Sequence, residues 1–524
     1  MEKKVEDQPA APIYSVEDGV EVGQVINASG HVQELERNFS LLSVCSVGIC
    51  AGNTWAALGG SIVVAIYNGG PPGVIYELFA VSFFYWLIAA ALAELASAIP
   101  SSAGVYHWAS ITAGPKWGKA AGWYAGWWNF LGWIFGAASV SAIVANLSLA
   151  MWGLFHADYV PQRWHVFVAY IIVTWLACGT VLFCNTLLPK INTLGLYLTL
   201  GGWFITTLVC AIMPSTKGTG HASNAFVWRD WENQSGYTSD GLVFLMGMLN
   251  GAYAVGTPDC VSHLAEEVPL PQINIPKAIA AQMVTGLLTA FCYLVAIFYS
   301  ISDFDALLEQ PYTIPLAEVY RQATTTRGGS LGLLLIVFLP LCCALIGIHI
   351  TCGRMLWTLA RDQATPFPKL LSRVSPKWKN PFNATVACGI IVTVLGCIYV
   401  GSLTAFSAFV GSFVVLTTLS YLAAILPHLL TQRRYVMRGP FWMPAAVANT
   451  VGGISCVYII VFIVIYCFPY AMPFDAASMN YTCLITGGFT VFMSLWWMWK
   501  RTRGYTGPII LMQEERNTCE RGED

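Results

Sequence analysis

Residues 250–267 read NGAYAVGTPDCVSHLAEE and place Asp259, His263, Glu266 and Glu267 behind an apolar run. Steps of four and three residues put Asp259, His263 and Glu266 on one face of a helix. A carboxylate beside an imidazole can hold and pass a proton, and ionisable groups at membrane depth mark substrate or ion pathways. Asp259 has a second reading as a first-turn carboxylate that complements a helix dipole. Glu266 and Glu267 lie near the segment's end, where a gate or salt bridge fits better than substrate contact. Tyr253 offers an aromatic face to an organic cation. Glu94, in ELASAIPSSAGVYHW, can pair with a base at a gate. His349, in IGIHITCGR, is either a hydrogen-bonded core residue or a group that lines a site or relays protons. Trp55 and Asn129 are further site candidates, set against the rule that most aromatics pack or anchor. The chain shows no HExxH, P-loop, nucleophile elbow or cluster of metal ligands, so no enzyme and no cofactor is expected.

The elements that position these groups are membrane helices. Of 524 residues, 56% are hydrophobic and 10% charged, where soluble domains carry roughly 25% charged residues. The apolar blocks give about twelve spans by the roughly 20-residue criterion. Their limits are near 41–68, 72–97, 117–152, 164–187, 191–213, 241–265, 277–300, 331–358, 384–401, 404–429, 446–469 and 481–499. The expectation is an all-α polytopic membrane protein. If the N-terminus is cytoplasmic and the spans alternate, 21 of the 26 basic residues face the cytoplasm, which places both termini there. Residues 1–38, with eight acids and three bases, read as a disordered tail, and 501–524 as a second cytoplasmic tail around a permease domain of 39–500. A net charge of −2 suggests no nucleic-acid partner, only lipid and a small solute. The sixteen cysteines lie almost wholly inside spans and read as small core residues. Asn233 (NQS) and Asn480 (NYT) are possible glycan acceptors in outer loops.

Two spans carry break signals. In the sixth, Gly251 and Gly256 precede Thr257-Pro258-Asp259, an N-cap, a first-turn proline and a first-turn acid. One half-helix is expected to stop near Gly251 and another to start near Thr257, leaving Tyr253 in an unwound stretch. The first span repeats the pattern with Gly48, Cys50 and Gly52 before Asn53. One break opens residues 41–213 and the other opens 241–429, with 446–499 as two extra helices. Paired interruptions at corresponding places point to an inverted-repeat transporter. Free carbonyls and amides at such breaks suit a small amine, amino acid or quaternary ammonium solute.

The chain resembles the amino acid–polyamine–organocation permeases, and within them the fungal choline and γ-aminobutyrate branch. The resemblance rests on ELASAIPSSAGVYHW, the segment GYTSDGLVFLMGMLNGAYAVGTPDCVSHLAEEV, LARDQATPFPKLLSRVSP with PFNA, RGPFWMP and MNY. It implies a LeuT-type fold of ten core helices plus two, with helices one and six broken. It also implies alternating access and proton symport at the plasma membrane. The family's substrate site maps onto Gly48–Gly52 and Gly251–Gly256. Choline is the favoured solute, γ-aminobutyrate, another amino acid or a polyamine the alternative, and a non-transporting nutrient sensor the competing class.

Overall fold

The computed structural model describes residues 39–508, except 63–67, 157, 309–313, 402, 403, 477 and 506. Among the described residues, ten helices are long and apolar enough to cross a membrane. Two further elements complete the count of twelve: the interrupted sixth span and Phe382–Gly401, the ninth. Described strand pairing is limited to one bridge, Asn68 with Asn233.

Local chemistry sets the helix starts. Ser40 caps the first span through the Ser43 amide, Ser239 caps the sixth through Leu242, and Thr326 caps the eighth through Gly329. Prolines open span two (Gly70–Ala98), span three (Gly114–Gly153) and span seven (Pro271–Tyr299), where a missing N–H costs nothing.

Span three, 40 residues long, is the most enclosed and packs along span ten (Ala405–Leu430). Two glycines one turn apart admit that neighbour. A Cβ on Gly132 would stand 2.7 Å from Thr417 Cγ2, and one on Gly136 2.8 Å from Phe413 Cδ2. Without a hydrophobic drive between helices in lipid, such close backbone approach is what holds them together. It also fixes the register that turns Asn129, Trp133 and Ser139 toward spans six and ten. Span twelve (Thr482–Lys500), by contrast, shows most of its surface outward.

Both breaks are present, each displaced from its expected place. The first span is helical over Leu41–Gly52 and again over Thr54–Ser61, with Asn53 between them at φ 30°. Gly48 and Gly52 are therefore helical. In the sixth, the helix Asp240–Val255 runs past Gly251 and Tyr253 and stops at Gly256. Gly251 serves packing instead, since a Cβ there would lie 2.6 Å from Val81 Cγ1. The chain restarts as a 3₁₀ helix, Cys260–Glu267, and its cap residue Asp259 makes no capping bond. The Thr257-Pro258-Asp259 signature thus fails to open an α-helix, because both polar side chains are taken elsewhere.

Candidate functional site

Thr257 and Gln282 show where the first of those side chains goes. Gln282, on span seven, donates through Nε2 to Thr257 Oγ1 at 2.7 Å and to its carbonyl at 3.0 Å. Gly48 and Gly52 bring span one onto the same amide: a Cβ on either would come within 3.0 Å of it. One glutamine therefore ties the two interruptions together. The cavity beside it, bordered by Thr54, Trp55 and Thr199, is only about 10 Å³, barely room for one water.

Asp259 is the centre of the second arrangement. Fully buried, it accepts from Asn129 Nδ2 at 2.8 Å, Trp133 Nε1 at 3.1 Å and Tyr421 OH at 2.5 Å. These three neutral donors, from spans three and ten, suit an ionised carboxylate. His263 Nε2 stands 3.3 Å from the same carboxyl, and its Nδ1 lies 3.1 Å from the Ser102 carbonyl. A carbonyl only accepts, so Nδ1 carries a hydrogen. Nε2 then needs a second proton to meet the carboxylate favourably. The geometry thus sets a carboxylate oxygen and an imidazole nitrogen at ion-pair distance inside the bundle.

Around it gather aromatic rings. Trp133 meets the edge of Phe413 at 5.7 Å, and Tyr253 meets Phe413 at 5.6 Å. Tyr253 OH bonds Ser139 Oγ at 2.8 Å. At the other break, Asn53 is buried with both side-chain polar atoms unpartnered, as is Trp55 Nε1.

The remaining expectations separate into three groups. Asn129, Tyr253, Gly256, Asp259 and His263 converge on one region. Cys50 and Trp55 face away from it: Cys50 donates to the Asn192 carbonyl of span five (Leu188–Lys217), and Trp55 packs edge-on against Tyr293. His349 is back-bonded to Leu345 within span eight (Arg327–Arg361), with Nε2 unpartnered.

The other acids close one end of the bundle. Glu266 pairs with Arg361 at 3.0 Å, and Glu267 takes the fork of Arg354 at 2.7 and 3.3 Å. Glu94 pairs with Arg433 at 2.7 Å, approaches His428 at 3.4 Å, and accepts from the Met443 amide. Here RGPFWMP folds back on the end of span two, where Ser97 Oγ accepts from Phe441 N. Ser102 links this closure to the centre, taking the His263 ring on its carbonyl and the Glu266 amide on its hydroxyl at 3.0 Å. Gly104, at φ 52°, lets this loop lie against His263.

Asn480 needs correction as a glycan acceptor. It is 1% exposed, and its amide donates to the Tyr466 and Phe468 carbonyls. Asn233 is half-buried, its amide engaged by Tyr237 and Asp240.

Gln282, Trp133, Phe413 and Tyr421 were invisible as site residues in the sequence, since apolar spans hide them among similar neighbours. Glu77 carries a signal of its own, an acid inside an apolar span.

The model of the amino acid permease family matches residues 39–489. The choline transporter of Saccharomyces cerevisiae is 31% identical over 491 residues, covering 92% of this chain and 84% of the relative. The 7-keto 8-aminopelargonic acid transporter of the same yeast is 26% identical over 517 residues, covering 86% and 90%. A solved structure of the Eremococcus coleocola manganese transporter shares the fold, with TM-score 0.52 at 14% identity over 88% of this chain and 94% of its own. Twelve helices broken at the first and sixth, and a family match over most of their length, make this chain a multi-pass membrane transporter that belongs to the amino acid permease family.

Proposed function

We propose that this chain is a proton-coupled importer of a small nitrogenous solute, with choline foremost. The observation that carries the reading is the group at the sixth-span break: a buried carboxylate paired with an imidazole, ringed by Trp133, Phe413 and Tyr253. Aromatic faces hold quaternary ammonium groups when water is excluded. With His263 protonated the pair is neutral, so the rings and the carbonyls of the interrupted spans can take the solute's cation. The unpartnered Asn53 amide suits its hydroxyl or carboxylate. The similarity to a yeast choline transporter favours choline over γ-aminobutyrate, another amino acid or a polyamine.

The proton has a mechanical role in this scheme. When His263 loses it, the Nε2 lone pair faces Asp259, and the contact becomes repulsive. His263 and Glu266 both hold Ser102, so deprotonation loosens the closure at the Arg354 end. By the excess of basic residues that end is cytoplasmic, as are both termini, and the plasma membrane is the location that the family resemblance implies.

Radiolabelled uptake of choline, γ-aminobutyrate and several amino acids, in cells lacking their own permeases, tests this. Choline should accumulate against its gradient, faster in acidic medium, and an uncoupler should abolish the accumulation. If no solute accumulates, or uptake ignores both pH and uncoupler, the proton-coupled importer is wrong and a sensor becomes the better account.

A further inference from the structure

Glu77 lies in the first third of span two, about 25 Å along the helix from Glu94 at 1.5 Å per residue. It is 1% exposed, and neither carboxyl oxygen has a hydrogen-bond partner. Among the described residues no Lys, Arg or His pairs with it. Its neighbours Tyr76 and Phe79 are exposed outward, so Glu77 points into the bundle. There it lies on span six at Gly247, where any Cβ would overlap its oxygens. An ionised carboxylate without donor or cation would cost several kcal/mol in such a place, so the group sits there as the neutral acid. What the acid alone supplies is a removable proton.

Four buried tyrosines lie in the region between it and the centre. Tyr466 lies within electrostatic range of both Glu77 and Tyr85. Its hydroxyl bonds that of Tyr458 at 3.1 Å, and the Tyr458 ring meets Tyr85 edge-on at 6.1 Å. Tyr85 OH has no partner, and the group lies within range of Asp259. Tyr421 is near Tyr85 and donates directly to Asp259. All four tyrosines are at most 4% exposed.

We propose that Glu77 is a proton-loading carboxyl. It passes a proton by way of Tyr466, Tyr458, Tyr85 and Tyr421 to the Asp259–His263 pair. The Glu77 O–H bond breaks as the next hydroxyl accepts. Each hydroxyl in turn gives its own proton forward, and the last, from Tyr421, forms the O–H bond at Asp259 Oδ1, so that the Asp259–His263 pair holds the extra proton. Glu77 then regains a proton from the side away from Arg354. Hydroxyls that do not touch need a bridging water or a side-chain rotation to complete the transfer.

This inference rests on the proton-coupled reading, and one experiment separates them. The full-length protein, reconstituted in liposomes with a pH-sensitive dye inside, is driven by choline under an inward proton gradient. For Glu77→Gln, radiolabelled choline exchange and heat stability should stay at wild-type levels. Choline-driven proton entry and concentrative uptake should fall about tenfold or more, the scale of losing a positioned proton-transfer group. Glu77→Asp should restore part of the flux, and Tyr85→Phe, which keeps the ring, should reduce it. If wild type moves choline without protons, the coupled reading itself falls, and this inference with it. If wild type moves protons and Glu77→Gln equals it, only the role of Glu77 is overturned. Loss of exchange together with proton entry would also overturn it, because the residue would then serve folding or binding.

Discussion

Tyr253 joins two functions that substitution can separate. Its ring packs on Phe413 beside Trp133, and its hydroxyl meets Ser139, which itself donates to the Gly136 carbonyl at 2.9 Å. Tyr253→Phe removes one hydrogen bond while Ser139 keeps a partner, a loss of about 1 kcal/mol in stability. Under the proposed reading, Tyr253→Ala removes the face offered to an ammonium group. A desolvated cation–π contact contributes about 2 kcal/mol, so choline affinity should fall roughly thirtyfold. Competition uptake and heat-stability curves on both variants check this, and equal losses of affinity would assign the contact to the hydroxyl. Asp259 shows how far the sequence could be read at this scale. Its type and its four-residue step to His263 were legible, because helical geometry fixes both. Asn129 was legible as a site candidate but not as its partner, and Trp133 and Tyr421 were not legible at all, since the three lie on remote spans and only packing brings them near.

The breaks show the same limit one scale up. Glycines, a proline and cap-forming residues marked where spans one and six weaken, and both spans do break. The positions shifted because local signals cannot see competing tertiary partners. Thr257 looks like an N-cap until Gln282 takes its hydroxyl, and Asp259 until its carboxylate is shared among three side chains. Deprived of a cap, the second half-segment forms eight residues of 3₁₀ helix, unusually long for that geometry and a common sign of a functional hinge. The span-three and span-ten seam must stay firm for such a hinge to work against it. Gly132→Ala would place a methyl group 2.7 Å from Thr417 Cγ2 and 3.2 Å from its backbone nitrogen. Backbone cannot move aside cheaply, so overpacking of about 1–3 kcal/mol is expected. Detergent-solubilised protein should lose its fluorescent size-exclusion peak at a lower temperature than wild type. An unchanged melting profile would show that the seam is looser than its geometry suggests.

Over the whole molecule, the acids Glu94, Glu266 and Glu267 pair with Arg433, Arg361 and Arg354 at one end, and the tight junction of the breaks lies at the centre, the arrangement expected, under the proposed reading, of a state closed at that end. Arg354 is the member whose loss is least easily absorbed. It is fully buried, forks onto Glu267 and reaches Asn185 at 3.4 Å, while the Phe39 amide donates to the Glu267 carbonyl. The beginning of span one, the end of span six and the middle of the chain thus share one lock. Arg354→Ala would leave Glu267 buried without its cation, a penalty of about 3–5 kcal/mol that exists only while the end is closed. The balance should therefore move toward a state open at this end, by roughly two orders of magnitude or more. Cys260 reports the change without any added probe. It is fully buried in the 3₁₀ segment beside Gln282, and a membrane-impermeant thiol reagent should reach it only through the opened end. In inside-out vesicles, mass spectrometry should find Cys260 modified much faster in Arg354→Ala than in wild type, with exchange retained and concentrative uptake reduced. Arg354→Lys keeps a charge but not the two-pronged geometry, and should fall between them. Equal modification rates in all three proteins would mean that the pair fastens a local loop and leaves the closure to the packing of spans one, six and eight.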